Sequence, residues 1–243
     1  MTDRPVFLAA EWRDLVMLNY EVNPSLLQKY VPRGVELDTF EGRTFVSVVG
    51  FRFLRTRLWG FLAVPFHSNF DEVNLRFYVR RREGWEIRRG VVFIRELVPR
   101  AAIAAVARII YGEKYDSCAM QHQIRIAETG ISAAYQWNFE GRGFRLSAEA
   151  GGSPSEVAAG SLENFITEHY WGYSSRTKGT CFEYRVSHIA WKVWTAVGSA
   201  FEGEADMLYG SEFNEILSQP ADSAFIADGS PVAVYMGRPI PPI

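Results

Sequence analysis

The sequence predicts an α+β fold that is mostly β: an antiparallel barrel or sandwich with a few short helices attached. Three observations carry this. Segments rich in Val, Ile, Phe and Tyr, several of them alternating apolar with polar residues, dominate the chain. Turn signals such as Thr129-Gly130 and Glu140-Gly141 recur at intervals of about ten residues. Only short stretches combine helical spacing with capping residues.

In chain order, LVMLNYEV (15–22) reads as a strand. Asn23-Pro24 opens a short helix, with Asn23 as N-cap and Pro24 at the first helical position, and Pro32 and Gly34 close it. TFVSVVGFRF (44–53) is a strand in which Gly50 suggests a bulge. FDEVNLRFYV (70–79) and VVFIREL (91–97) form an antiparallel hairpin around the turn at Glu83-Gly84-Trp85. After Pro99 the run RAAIAAVARIIYG predicts a helix that stops at Gly112. Strands follow at 120–128, 131–139 and 143–150. Ser161 caps a helix over 162–170, and strands return at 180–189 and 231–237. The region 203–219 is ambiguous and helical in part.

The chain has 243 residues, of which 48% are hydrophobic, enough for a sizeable core. No linker divides it, so one domain over 1–243 is expected. Its net charge of −2 gives no general drive toward nucleic acid or anionic lipid. The Arg80-Arg81-Arg82 run, with Arg88 and Arg89, is interleaved with Glu83 and Glu86 and reads as a solvated hairpin end. No 18-residue apolar run predicts a membrane span, and the first residues do not form a signal peptide. A cytoplasmic protein with reduced thiols at Cys118 and Cys181 is expected. Neither cysteine sits in a metal-ligand spacing, nor do His67, His122, His169 and His188, so no metal or cofactor is expected.

The strand at 70–80 carries the functional expectation. Alternation places Val73, Leu75, Phe77 and Val79 on an apolar face and Glu72, Asn74, Arg76 and Tyr78 on the other. The polar row either faces solvent or lines a cavity for a small molecule. Glu72 and Arg76 are separated by about 13 Å of strand, so each serves a different part of a ligand or pairs with a neighbouring strand. On the adjacent strand Arg95 and Glu96 face opposite ways. One must point inward, and Glu96 is a candidate partner for Arg76.

Four segments, LNYEVNPSLLQKYVPRGVELDTFEGRTFVSVVGFRF, FDEVNLRFYV, ARIIYGEKY and FITEHYWGY…VSHIAWKVW, occur in that order. Together they resemble the YqjF-like family of uncharacterised bacterial proteins over nearly the whole chain. That family is similar to a branch of the acetoacetate-decarboxylase-like superfamily. The resemblance implies a curved antiparallel β-barrel with a central cavity, assembled as a homo-oligomer. In the decarboxylase a lysine, kept neutral by desolvation and a neighbouring cation, forms a Schiff base with a ketone. Its segment has the form Arg-x-x-x-Gly-x-Pro-Lys-Lys. Counted from Arg108 and Gly112, Lys114 falls on the proline, Tyr115 on the reactive lysine and Asp116 on its neighbour. The amine is thus displaced, and Schiff-base decarboxylation is not carried over. Lys114 enters the cavity only through a backbone shift; otherwise it is an exposed lysine beyond a helix. Glu72 matches the decarboxylase's pocket glutamate.

The expected function is binding of a small anionic or carbonyl-bearing metabolite in the barrel cavity. The candidate catalytic residues are Glu72, Lys114 and Tyr115, and the candidate ligand-binding residues are Asn74, Arg76, Tyr78, Glu96 and His188. His188, in the VSHIAW motif, is either a cavity base or a histidine held at a strand end beside Trp191. Acid/base chemistry of the lyase, hydrolase or isomerase kind is one reading, with Glu72 moving the proton. A non-catalytic binding or sensing protein is the other.

Overall fold

The computed structural model describes residues 4–63, 67–105, 112–175 and 179–240. Strand β1 (Val6–Val22) leads into helix α1 (Pro24–Leu27), then β2 (Glu36–Leu37), β3 (Thr44–Leu58), β4 (Leu62–Ala63), β5 (Phe70–Glu83) and β6 (Glu86–Val98). Residues 101–105 form helix α2. The rest of the helix expected up to Gly112, including Arg108, falls outside the described residues. Strands β7 (Tyr115–Ser117), β8 (Ala119–Ala127), β9 (Gly130–Phe139), β10 (Arg142–Gly151) and β11 (Ser155–Glu156) precede helix α3 (Leu162–Thr167). Then come β12 (Trp171–Ser175), β13 (Cys181–His188), β14 (Lys192–Thr195), β15 (Gly198–Glu202), helices α4 (Ala205–Tyr209) and α5 (Ser211–Leu217), β16 (Ser223–Tyr235) and β17 (Arg238–Ile240).

The large sheet runs β16-β1-β3-β5-β6-β12-β13, and β13 pairs back onto β16 through Val186↔Val234 and His188↔Val232. The curved ladder therefore returns to its start and encloses an interior. Its neighbours are antiparallel except at β6–β12, where Trp171↔Gly90 is a parallel pairing, and at the short β7, which pairs parallel with β6. A second sheet, β15-β10-β9-β8, lies on the outer face. The apolar side of β5 (Val73, Leu75, Phe77, Val79) packs with Tyr135, Trp137 and Leu146 of that second sheet. The opposite side of β5 points into the enclosed interior, where Phe51, Phe53, Phe70, Val91 and Phe165 gather.

Local chemistry explains the boundaries. Asn23 caps α1 by accepting a hydrogen bond from the Ser25 amide at 2.9 Å. Ser161 does the same for Asn164 at 3.2 Å, but α3 ends at Thr167, short of the expected Tyr170. The bulge expected at Gly50 lies instead in β1, where the register with β3 shifts between Arg13 and Val16 and Asp14 adopts φ 55. Gly50 has another role: a Cβ there would stand 2.7 Å from Cδ2 of Tyr135, so the glycine lets the outer sheet approach.

The basic hairpin is solvated only in part: Arg82 and Arg89 are exposed, but two of its arginines are not. Arg81 and Arg88 are buried and meet Glu183, which is 2% exposed, at 3.3 and 3.0 Å. Arg238 joins the same carboxylate at 2.6 Å, and Glu83 bridges all three arginines. Pairing with a distant strand was invisible in the local alternation of charge.

Candidate active site

The interior contains a cavity of about 250 Å³. Its walls are mainly apolar, with Phe7, Trp12, Phe51, Phe53, Phe70 and Phe93 among them. Against this apolar lining stand a few polar groups drawn from different elements, the pattern of a small-molecule site.

A β-bulge decides which of them point inward. Along β5 and β6, Leu75 pairs with Arg95 but Arg76 pairs with Phe93, leaving Ile94 as the extra residue. The bulge reverses the alternation. Val91 and Phe93 face the cavity on one side of it and Glu96 on the other, while Arg95 turns out to Asp116 at 3.2 Å. Without the bulge, the guanidinium of Arg95 would occupy the place of Glu96. The choice left open by the sequence thus falls on Glu96.

Glu96 meets two further acids there. Glu72 enters from β5, and Glu113 from the residues just ahead of β7. All three are buried. The Tyr115 hydroxyl donates to Glu72 Oε2 at 3.1 Å, and the Asn74 amide donates to Glu72 Oε1 at 3.0 Å. Tyr184, from β13, donates to Glu113. The carboxyls of Glu96 and Glu113 adjoin, and burying two neighbouring acids favours the protonated form of at least one of them.

Burial dominates their electrostatics. It pushes the Glu72 carboxyl up to about 7, against the opposing hydrogen bonds from Asn74 and Tyr115 and the charge of Arg76. Glu113 is pushed up to about 8 by burial, opposed by the Tyr184 hydrogen bond. Glu96 is held well above the carboxylate range by burial and by the charges of Glu113 and Glu72. Burial and the three neighbouring acids also raise Tyr115, which stays a neutral phenol. The cluster therefore contains both proton donors and a carboxyl able to accept one near neutrality.

Farther along β5, Arg76 lines the cavity with its guanidinium 5.7 Å from the Tyr78 ring centroid. Its Nη2 donates to the Ile166 carbonyl at 3.4 Å. It does not partner Glu96 through any described ion pair. Tyr78 shares the face of Arg76 but is covered by Phe165 of α3, and its hydroxyl is bonded to Ser47 Oγ at 2.6 Å. Tyr78 is therefore part of the wall's support and does not line the cavity.

Two other expected residues lie elsewhere. The Lys114 side chain is exposed, with its ammonium 5.4 Å from the Tyr30 ring centroid on the outer side of the wall. Extended backbone forces Lys114 and Tyr115 to opposite sides, and the phenol takes the inside. No lysine lines the cavity among the described residues. His188 stacks on Trp191 with centroids 4.2 Å apart and donates from Nδ1 to the Ile189 carbonyl at 2.8 Å. It borders a separate surface groove with Arg88 and Glu168, outside the main cavity.

Sequence reasoning did not single out Glu113, Tyr184 or His169 as site residues, although all three line the cavity. Glu113 had a legible signal, because it precedes Tyr115 by two in an extended segment and so shares its side. Tyr184 and His169 arrive from strands and loops that only the closed ladder brings round. Gly172 supports Tyr184 directly: a Cβ at that position would lie 2.1 Å from Tyr184 Cζ. Gly172→Ala is expected to displace the tyrosine from Glu113 and cost about 1–3 kcal/mol, read as a lowered urea midpoint at unchanged m.

The DUF2071 profile, described as an uncharacterised conserved protein, matches residues 9–231. This chain belongs to that family. Within the chain, 188 residues are 23% identical to the uncharacterised protein YqjF of Bacillus subtilis (strain 168), covering 76% of this chain and 74% of that one. The fold of this DUF2071 chain is similar to that of acetoacetate decarboxylase from Legionella pneumophila, with a TM-score of 0.69 at 14% identity over 99% of this chain and 90% of that one. It is similar too to the enduracididine biosynthesis enzyme MppR complexed with pyruvate, with a TM-score of 0.69 at 16% identity, covering 100% and 92%. An acetoacetate decarboxylase-like enzyme from Sphingomonas wittichii RW1 gives a TM-score of 0.65 at 15% identity, covering 97% and 94%. At these identities the likeness is one of fold.

No described helix is long and apolar enough to cross a membrane. Among the described residues no group of three or more His, Cys, Asp or Glu side chains is arranged to hold a metal ion.

Proposed function

We propose that the cavity binds a largely apolar small molecule bearing a carbonyl group, and that Glu72 moves a proton on it. The observation that carries this reading is the cluster of Glu72, Glu96, Glu113 and Tyr115 on one wall of an otherwise largely apolar cavity. Three buried acids disfavour an anion at that wall. A neutral carboxyl or phenol donates a hydrogen bond to a carbonyl oxygen instead. Glu72, poised near neutrality, takes a proton from the carbon beside the carbonyl. The C–H electron pair becomes the C=C bond of the enol, and the oxygen receives its proton from a protonated carboxyl of the Glu96–Glu113 pair. Return of a proton to the same or a neighbouring carbon completes an exchange or an isomerisation. Tyr115 in place of an amine keeps the chemistry non-covalent. MppR, of like fold, is known complexed with the keto acid pyruvate, which is consistent with a carbonyl ligand.

A static binding role is favoured by one feature: both oxygens of Glu72 are already engaged, by Asn74 and Tyr115. The two readings separate in deuterium oxide. Proton NMR of a panel of ketones and keto acids should show wash-out of the hydrogens beside the carbonyl with wild-type protein. Glu72→Gln should slow it by roughly 10²–10⁴-fold while the ketone still binds. Binding without wash-out above the solvent rate would leave a binding protein and end the proton-transfer reading.

A further inference from the structure

The cavity contains a second polar locus, built on a histidine whose tautomer the structure fixes. His169 lines the cavity, and its side chain is 1% exposed. Its Nε2 lies 3.2 Å from Asp38 Oδ2. Asp38 is buried yet ionised: Arg89 Nε meets Oδ2 at 2.8 Å and the Thr39 amide donates to Oδ1 at 3.0 Å. His169 and Arg89 hold its carboxyl below the usual range despite the cost of burial. An ionised carboxylate only accepts, so Nε2 carries the hydrogen. Burial keeps the imidazole neutral. Nδ1 is then a bare lone pair, and it is buried with no hydrogen-bond partner in the protein.

A complementary orphan lines the same cavity, near enough for its charge to act on the imidazole. Arg76 Nε–H is buried and unpartnered, and Arg76 lines the same cavity. Both groups lean on Tyr78: its ring centroid is 5.7 Å from the Arg76 guanidinium carbon and 4.8 Å from the His169 ring centroid. One orphan is a donor and the other an acceptor. Leaving either unpaired in a low-dielectric interior costs free energy that a suitable ligand group recovers. A carboxylate would satisfy Arg76 but set its charge against the His169 lone pair. A hydroxyl satisfies both, because its oxygen accepts from Arg76 Nε–H and its O–H donates to His169 Nδ1.

We propose that Arg76 and His169 form a hydroxyl-recognition subsite, and that the ligand class is a hydroxylated carbonyl compound with an apolar span between its two polar groups. The inference rests on the carbonyl reading of the acid cluster and adds the second attachment point. Asp38 and Arg89 are positioning residues that act through the histidine.

Matched probes test it. Linear methyl ketones carrying a hydroxyl at graded distances from the carbonyl are each paired with the deoxy parent, and affinities are measured by calorimetry on wild type and His169→Phe. At the best spacing the hydroxyketone should bind wild type about tenfold tighter than its parent. That advantage, read as the ratio of the two affinities within each protein, should vanish in His169→Phe, whose ring keeps the packing on Tyr78 and Phe165. Nitrogen-15 NMR of wild type adds a readout free of mutation: the Nδ1 resonance should report an unprotonated nitrogen and move on adding the hydroxyketone but not the parent. Equal affinities on wild type at every spacing would overturn the hydroxyl subsite and leave the carbonyl reading standing. An advantage that survives in His169→Phe would overturn the assignment to His169. Failure of every ketone to bind would remove the carbonyl reading, and this inference with it.

Discussion

Thermal stability should fall as the pH rises from 5.5 to 8.5, with a loss in Tm on the order of 5–10 °C. The sign follows from the acid cluster. In the folded protein Glu72 holds its proton up to about 7 and Glu113 up to about 8, with Glu96 well above the usual range. In the unfolded chain all three release protons near the ordinary carboxylate value of about 4.3. Between these limits the folded state binds more protons than the unfolded one, so each step up in pH favours unfolding. The stabilisation from protonated burial is complete below the unfolded value and is lost through the folded values. Glu96→Gln isolates the effect, since the amide keeps the shape and a donor but cannot ionise. Calorimetry should show a shallower pH slope for the variant and a higher Tm than wild type at pH 8.5. A wild-type Tm that climbs across this range with an unchanged slope in Glu96→Gln would mean that the acids enter the fold ionised.

Removing the carboxylate of Glu183 should cost about 3–5 kcal/mol, lowering Tm by roughly 10–15 °C. The cause is not the loss of an attraction by itself. Arg81 and Arg88 are 7% and 6% exposed and would remain charged with Glu83 as their shared remaining acid. The strand pairings of β5–β6 and β13–β17 both end at this network, so its loss loosens one end of the closed ladder. Glu36→Ala is the contrasting variant. Its bond to Arg80 Nε at 2.8 Å lies at the exposed edge of β2 and should be worth less than about 1 kcal/mol. Equal losses in urea denaturation for the two variants would refute the argument from burial.

Much of this architecture was legible because it is local. The two faces of β5 follow from alternation alone, and the helix starts at Asn23 and Ser161 follow from side chains that reach their own backbone. The curved ladder came from the resemblance and not from periodicity. What escaped the sequence has a common origin in long-range register. The bulge at Ile94 swaps Arg95 for Glu96 on the inner side, and nothing in VVFIREL marks it. The first part of β1, through Trp12 and Asp14, was not read as a strand because its residues alternate poorly around a bend. Tyr78 kept the predicted side but not the predicted exposure to ligand, since α3 covers it. His169 belongs to a recognised segment, FITEHYWGY, yet only its pairing with Asp38 gives it a role.

The opposite orientations of Lys114 and Tyr115 constrain what a change in chain length could achieve here. Deleting a single residue ahead of this pair would rotate the amine inward and the phenol outward. Such a variant would not gain imine chemistry by that step. Three neighbouring acids stabilise the ammonium form, which has no lone pair for attacking a ketone. Gaining an imine-forming amine at this position therefore requires at least two coordinated changes, a frame slip in the chain and neutralisation of its acidic surroundings, and neither alone suffices.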